Sequence, residues 1–337
     1  MCSGGARLTL NGPVSYRPVR HSVARREPGG KPIEPRIMPC MRGSMLSWAG
    51  LRDLRGARYR QSKTYVRFVS WRPVMWNPET YLRFADDRGR PFHDLVARVA
   101  ADRPRQVVDL GCGPGNLTAT LTTRWPDAQV SGIDSSPEMI EKALADQGGP
   151  GPVAYRVGDV RDYLPGAEVD VIVTNAVLQW VPGQEELVGR WARALRPGGW
   201  LALQVPGNHD SAAHQALRGL CASSRWSALL GEIAEQPRSA PGPQEYAALL
   251  RAAGCAADTW ETTYVHQLPV TGGPHPVLIW LTGTALRPVR AALAGEPGAW
   301  ERYCAELEPI LAAAHPADGG VVDFPFRRVF AVGHRVS

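Results

Sequence analysis

At 337 residues and 44% apolar composition, the chain can bury a full core in one large domain or two modest ones, and no apolar run nears the roughly 18 residues that a membrane span needs. Its net charge of +6 is uneven: residues 1–74 carry 15 Lys/Arg against Glu27, Glu34 and Asp53, while 75–337 carry 23 basic and 29 acidic residues. The part that reads as folded is therefore acidic, which argues against nucleic acid as a partner.

Residues 1–74 show neither helical nor strand periodicity and mix Pro, Gly and Arg, as in Arg25-Arg26-Glu27-Pro28-Gly29-Gly30-Lys31-Pro32. This basic extension reads as unstructured. Three origins stay open for it: translation from a start set ahead of Met75, a native disordered arm, or an Arg-rich targeting peptide. From Trp76 onward the pattern changes. Asn77-Pro78-Glu79 offers a cap, a first-turn proline and an acid for the helix dipole. Helices are expected over Tyr81–Asp87 and Pro91–Ala101. Strand and helix then alternate: strand Gln106–Leu110, helix Leu117–Arg124, strand Gln129–Asp134, helix Ser136–Asp146, strand Val153–Val157. Strand Val169–Thr174, helix Gln184–Leu195 and strand Trp200–Val205 follow. This alternation predicts right-handed βαβ units and an α/β fold with a doubly wound, mostly parallel sheet.

After Pro206 the rhythm loosens. Residues 208–238 read as helical and 274–315 as helical with turn breaks, and both are too long for loops. With the segment near 75–100, they are expected to cap the carboxyl edge of the sheet, where ligands of such folds sit. Between them come a helix over Pro243–Ala253 and a strand over Asp258–Leu268, and Val321–Val332 forms the last strand. The six cysteines are scattered without metal-ligand spacing, so no metal is expected and a cytoplasmic setting is the default. Nothing in the residues selects an oligomeric state.

The strongest chemical signal is Val107-Val108-Asp109-Leu110-Gly111-Cys112-Gly113-Pro114-Gly115-Asn116, a strand, a glycine-rich turn and a helix start. Glycines there let the backbone pass close to a ligand, although a tight turn alone would use them too. A dinucleotide fingerprint would need Gly or Ala at the sixth position from Gly111, where Asn116 stands. The Asp-x-Gly-x-Gly-x-Gly pattern is instead similar to the first motif of Rossmann-type methyltransferases, which bind S-adenosylmethionine. Asp109 can then face the cofactor's cationic amino-acid end. Asp134, ending the second strand, suits the two ribose hydroxyls, or else caps the next helix. Asp159 in Gly158-Asp159-Val160 can accept from an adenine amino group, or be a turn aspartate. Asn175, after the fourth strand, completes the ordered set, with Ser135 and Met139 beside Asp134.

A more specific resemblance covers nearly all of the chain after Met75. Trp76-Asn77-Pro78-x-x-Tyr81-Leu82-x-Phe84, Gly132-Ile133-Asp134-Ser135-Ser136-Pro137-x-Met139 and Leu178-Gln179-Trp180 resemble the trans-aconitate 2-methyltransferase family. So do Thr262-Thr263-Tyr264-x-His266-Gln267-x-Pro269, Leu286-Arg287-Pro288 and Phe324-Pro325-x-Arg327-Arg328-x-Phe330. Gly207-Asn208-His209 departs from that family's usual Asp-Asn-Trp. The resemblance implies a methyl ester formed on a small polycarboxylic acid, trans-aconitate first among them; the alternative is another small acid or a natural-product hydroxyl. A carboxylate is already ionised at pH 7, so no general base is required. Arg287 and Arg328 would then hold the substrate's charges, with Gln179, Trp180, Tyr264 and His266 completing the pocket. Each also has a plainer reading: Arg287 as a helix cap, Arg328 as an edge-strand charge, Tyr264 and Trp180 as core aromatics, and His266 as a satisfied structural histidine. A binding protein without catalysis is the rival from another class.

Overall fold

The computed structural model describes residues 85–149, 151–235 and 240–336. The extension 1–74, the Trp76–Phe84 motif and most of the first expected helix lie outside them. The two expected helices near the start give way to one described helix, α1 (Ala85–Ala97), which runs through Pro91. Phe92, Leu95, Val96 and Val99 bury one flank of this stretch against the sheet.

The strands are β1 (Gln106–Leu110), β2 (Gln129–Asp134), β3 (Val153–Val157), β4 (Val171–Asn175), β5 (Trp200–Pro206), β6 (Cys255–Pro269) and β7 (Val321–Arg335). They form one seven-stranded sheet in the order β3-β2-β1-β4-β5-β7-β6. The first five are parallel, and β7 inserts antiparallel between β5 and β6. β1, β4 and β5 are apolar runs because both faces of the sheet are covered. One face packs on α1 and α2 (Asn116–Arg124) through Leu95, Leu121 and Trp125. The other packs on α4 (Gln184–Ala194) and α7 (Pro243–Ala252) through Trp191, Tyr246 and Leu250. The helix after β2, α3 (Pro137–Asp146), is capped by Ser136, whose hydroxyl accepts from the Met139 amide.

The register places the site. Arg328 pairs with Pro206, the last residue of β5, and with Thr262 of β6. Thr263–Pro269 and the first seven residues of β7 therefore run past the carboxyl edge as a two-stranded extension of about 23 Å, at about 3.3 Å per residue. Leu268, Val322, Phe324 and Phe326 on that extension form a second core with α5 (Ala212–Cys221), α6 (Ser227–Ala234), α8 (Pro276–Thr282), α9 (Arg287–Ala292) and α10 (Ala299–Ala314). The segment 208–238 is broken at Ser223–Trp226 between α5 and α6, and the turn breaks expected in 274–315 fall at Gly283, Gly295 and Gly298, ahead of α9 and the 16-residue α10. Among the described residues, no helix is long and apolar enough to cross a membrane.

Candidate active site

The turn after β1 is shaped for a ligand by its glycines. Gly111, Gly113 and Gly115 all have positive φ, a conformation other residues resist. A Cβ on Gly111 would stand 2.1 Å from Val177 Cγ2, and one on Gly115 would meet the Tyr155 hydroxyl at 2.5 Å. A Cβ on Gly113 meets nothing within 4 Å. Two of the three glycines therefore serve close packing of the turn, while the third faces open space. The Gly113 amide donates to Asp134 Oδ2 and the Ser136 amide to Asp134 Oδ1, each at 2.9 Å. These bonds fix the carboxylate at the end of β2, and each oxygen keeps lone pairs for a diol.

Asp109 is buried at the end of β1 and accepts from the Thr118 hydroxyl at 2.6 Å. Burial pushes its pKa up to about 7, with Thr118 opposing and Asp134 adding to the rise. A buried carboxyl poised this way gains from a cation placed nearby. At the end of β4, Ala176 is the one non-glycine with positive φ among the described residues (φ 57). Such strain is characteristic of functional turns. Asn175 Oδ1 and Gln179 Oε1 are buried there with no hydrogen-bond partner among the described residues, and Gln179 Nε2 donates to the Ala176 carbonyl at 2.7 Å. Open space at a glycine turn, an anchored carboxylate for a diol, and buried acceptors for a cation fit S-adenosylmethionine.

Asp159 follows β3 and caps the turn Val160–Asp162. Its carboxylate accepts from the Arg161 amide at 2.8 Å and from Arg161 Nε at 3.0 Å. The Arg161 guanidinium holds it below the usual carboxylate range against some desolvation. Ser135 is exposed beside Asp134, and Met139 lies in the first turn of α3.

The other predicted residues fall into two groups. Arg287 opens α9 and its guanidinium lies 5.9 Å from the ring of Trp180, which is 43% exposed and so no core aromatic. Arg328 is buried, 4.5 Å over the Phe326 ring, with Nη1 3.5 Å from Gln204 Oε1. Tyr264 and His266 share its face of the sheet, since Thr262↔Arg328, Tyr264↔Phe326 and His266↔Phe324 are register pairs. The Tyr264 hydroxyl donates to Asp94 Oδ2 at 2.7 Å, so it anchors α1 to β6. Burial raises its pKa, and so does that bond. His266 lies in an aromatic stack, 4.7 Å from Trp280.

Three residues escaped sequence reasoning. Asp94 and Arg90 on α1 flank Tyr264, the Arg90 guanidinium 5.1 Å over its ring. Gln204 is fully buried in β5; a glutamine inside the apolar run Trp200-Leu201-Ala202-Leu203-Gln204-Val205 was the visible signal.

The glycines give a testable contrast. Gly111→Ala combines strained φ with a clash on Val177 and is expected to lower the thermal midpoint by several degrees, about 2–5 kcal/mol, with partial recovery in Gly111→Ala/Val177→Ala. Gly113→Ala carries the φ strain without a clash, about 1–2 kcal/mol, and is expected to abolish measurable cofactor binding in calorimetry. Equal stability losses in both would remove the distinction.

A family model described as a methyltransferase domain matches residues 108–203. A trans-aconitate 2-methyltransferase from Mycobacterium sp. (strain KMS) is 55% identical over 261 residues, covering 77% of this chain and 98% of that protein. The enzymes of that name from Rhodococcus jostii (strain RHA1) and Mycobacterium tuberculosis (strain ATCC 25177 / H37Ra) are 50% and 46% identical, over 98% and 96% of their lengths and 77% of this chain in each case.

Proposed function

The chain belongs to the trans-aconitate 2-methyltransferase family, and from that premise we propose that it esterifies one carboxylate of trans-aconitate, held by Arg328 and Arg287. It is an S-adenosylmethionine-dependent methyltransferase. The observation that carries the substrate reading is the buried guanidinium of Arg328. It lies on the α1 face of the sheet, at the end of β5 and two residues along from Gln204, which pairs with Asn175. A guanidinium there supplies the bidentate fork a carboxylate needs.

In this reading Asp134 holds the ribose, Asp109 and Asn175 face the cofactor's cationic end, and Asp159 lies toward the adenine. S-adenosylmethionine, when bound, would supply an electrophilic methyl to a carboxylate oxygen, with a neutral thioether as the leaving group and no proton to move. The protein's work is therefore positioning and exclusion of water. Arg328 and Arg287 neutralise the acid's charges, and the helices on the β6/β7 extension close the site over the carboxyl edge. His266 packs and does not act as a base. The substrate is a small molecule, and the free thiols of Cys112, Cys221, Cys255 and Cys304 suit a cytoplasmic setting.

With no base to titrate, kcat/KM for trans-aconitate at saturating cofactor is expected to stay flat between about pH 6 and 9, above the acids' pKa values. A steady-state pH profile checks this. A rise through a single pKa that His266→Gln removes would show base catalysis and overturn the carboxylate reading.

A further inference from the structure

We propose that Gln204 is a substrate-positioning residue: its side-chain amide N–H donates to the carboxylate that receives the methyl, and so helps decide which carboxylate of the polyacid is esterified. The inference rests on the reading above and deepens it.

Gln204 is fully buried, in the middle of a polar row that crosses the carboxyl edge of the sheet: Asn175 on β4, Gln204 on β5 and Arg328 on β7. Arg328 is donor-only, so the atom of Gln204 that faces it at 3.5 Å is Oε1. The amide is planar, and its Nε2 therefore points away from Arg328. Nε2 is buried and has no hydrogen-bond partner among the described residues. Nor does it bond Asn175 Oδ1, the free acceptor on the strand about 4.8 Å away. A buried amide donor left unbonded is costly, and an aliphatic side chain would fill this interior position better.

The polarity of the free atoms divides along the row. Over β4 they are oxygens, Asn175 Oδ1 and Gln179 Oε1, which suit a cation. Over β5 it is an N–H group, that of Gln204 Nε2, beside the cationic Arg328 of β7, and both suit an anion. The boundary between the two is where a cationic methyl donor and an anionic acceptor would meet. A residue whose sole task was to bracket Arg328 would need Oε1 alone. The free Nε2 assigns Gln204 a second contact, to the substrate oxygen beside the fork.

The test uses the full chain and two variants. Gln204→Glu keeps an acceptor for Arg328 and removes the donor; Gln204→Met removes both with little change in volume. Calorimetry measures S-adenosylhomocysteine binding to each, then trans-aconitate binding to the S-adenosylhomocysteine complex, and NMR measures the ratio of monoesters formed. Both variants are expected to bind S-adenosylhomocysteine within about threefold of wild type. Trans-aconitate binding is expected to weaken roughly 10- to 100-fold, the size of a lost hydrogen bond to a charged group. In Gln204→Met the ester ratio is expected to shift. Unchanged acid binding with an unchanged ester ratio in either folded variant would overturn the proposal, as would equal losses for both ligands, which mark a purely structural role. Wild-type protein that binds no polycarboxylate would instead sink the substrate reading itself.

Discussion

Arg328→Met is expected to lower kcat/KM for trans-aconitate by about 10²- to 10³-fold while leaving cofactor affinity within about threefold. Truncating one member of a buried charge pair strands the other, at a cost of about 3–5 kcal/mol, and each 1.4 kcal/mol is a factor of ten. In the variant the stranded charge is the substrate's own carboxylate, so the loss appears in acid binding and turnover. Methionine fills the space beside Phe326 and above Gln204 without a charge, so the fold is expected to survive. Arg328→Lys should recover a minor part, because an ammonium cannot make the paired bonds of the fork. Arg287→Ala should act more weakly: Arg287 is exposed beside Trp180 and part of its attraction is screened by solvent. Steady-state kinetics with calorimetry of cofactor binding checks these outcomes, and equal kcat/KM in wild type and Arg328→Met would remove Arg328 from the substrate site.

Asp109→Asn is expected to act in two directions at once. In the protein without cofactor, a carboxyl with a pKa of about 7 holds a proton that the unfolded chain has released since about pH 4. Its favourable contribution is thus complete below pH 4 and is lost as pH rises to about 7. Asparagine removes that penalty and still accepts from Thr118, so at pH 8 the variant should unfold at a higher temperature than wild type. The ceiling is about 4 kcal/mol, from roughly three pKa units at 1.36 kcal/mol each, and the gap should close toward pH 4. Cofactor binding should move the other way, weakening roughly 10- to 100-fold as a charge-assisted contact is lost. In wild type, affinity should also fall as pH drops below about 7, because the cation then competes with the proton. A variant that is less stable at pH 8 and binds the cofactor normally would contradict both the burial argument and the proposed role.

Much of this was legible in the sequence because local chemistry agreed with the fold. β1, β2 and β3 run over the expected residues, since each carries β-branched residues and is closed by an acid, a glycine or a turn. Asp109 and the three glycines lie in one contiguous strand–turn–helix unit, and Asp134 closes the next strand, where the Gly113 and Ser136 amides hold it. The fourth strand starts at Val171 and not at Val169, because Asp170 is drawn out of the run by hydrogen bonds from the Arg105 and Arg196 guanidinium groups. Arg105 and Arg196 are 65 and 26 residues away in the chain, beyond any local pattern. The partners of Tyr264 and His266 were equally hidden. Tyr264 reads equally as a pocket residue or a core aromatic, and Asp94, which accepts from its hydroxyl, lies 170 residues earlier. His266 reads equally as a pocket residue or a structural histidine, and Trp280 and Phe326, which flank its ring, lie 14 and 60 residues on in the chain. Gln204 shows the reverse: its residue type was informative, but its meaning depends on Asn175 and Arg328, which the sheet order brings alongside.

The central claim, that a carboxylate accepts the methyl, is tested most directly by the product. The protein is incubated with S-adenosylmethionine labelled with ¹³C at the methyl, and with trans-aconitate, a phenol and an amine in separate reactions, and the labelled methyl is followed by NMR. The account predicts an ester O–CH₃ signal with trans-aconitate that alkali removes, persisting in His266→Gln and strongly reduced in Arg328→Met. A label found on the phenol or amine alone, and lost in His266→Gln, would contradict it.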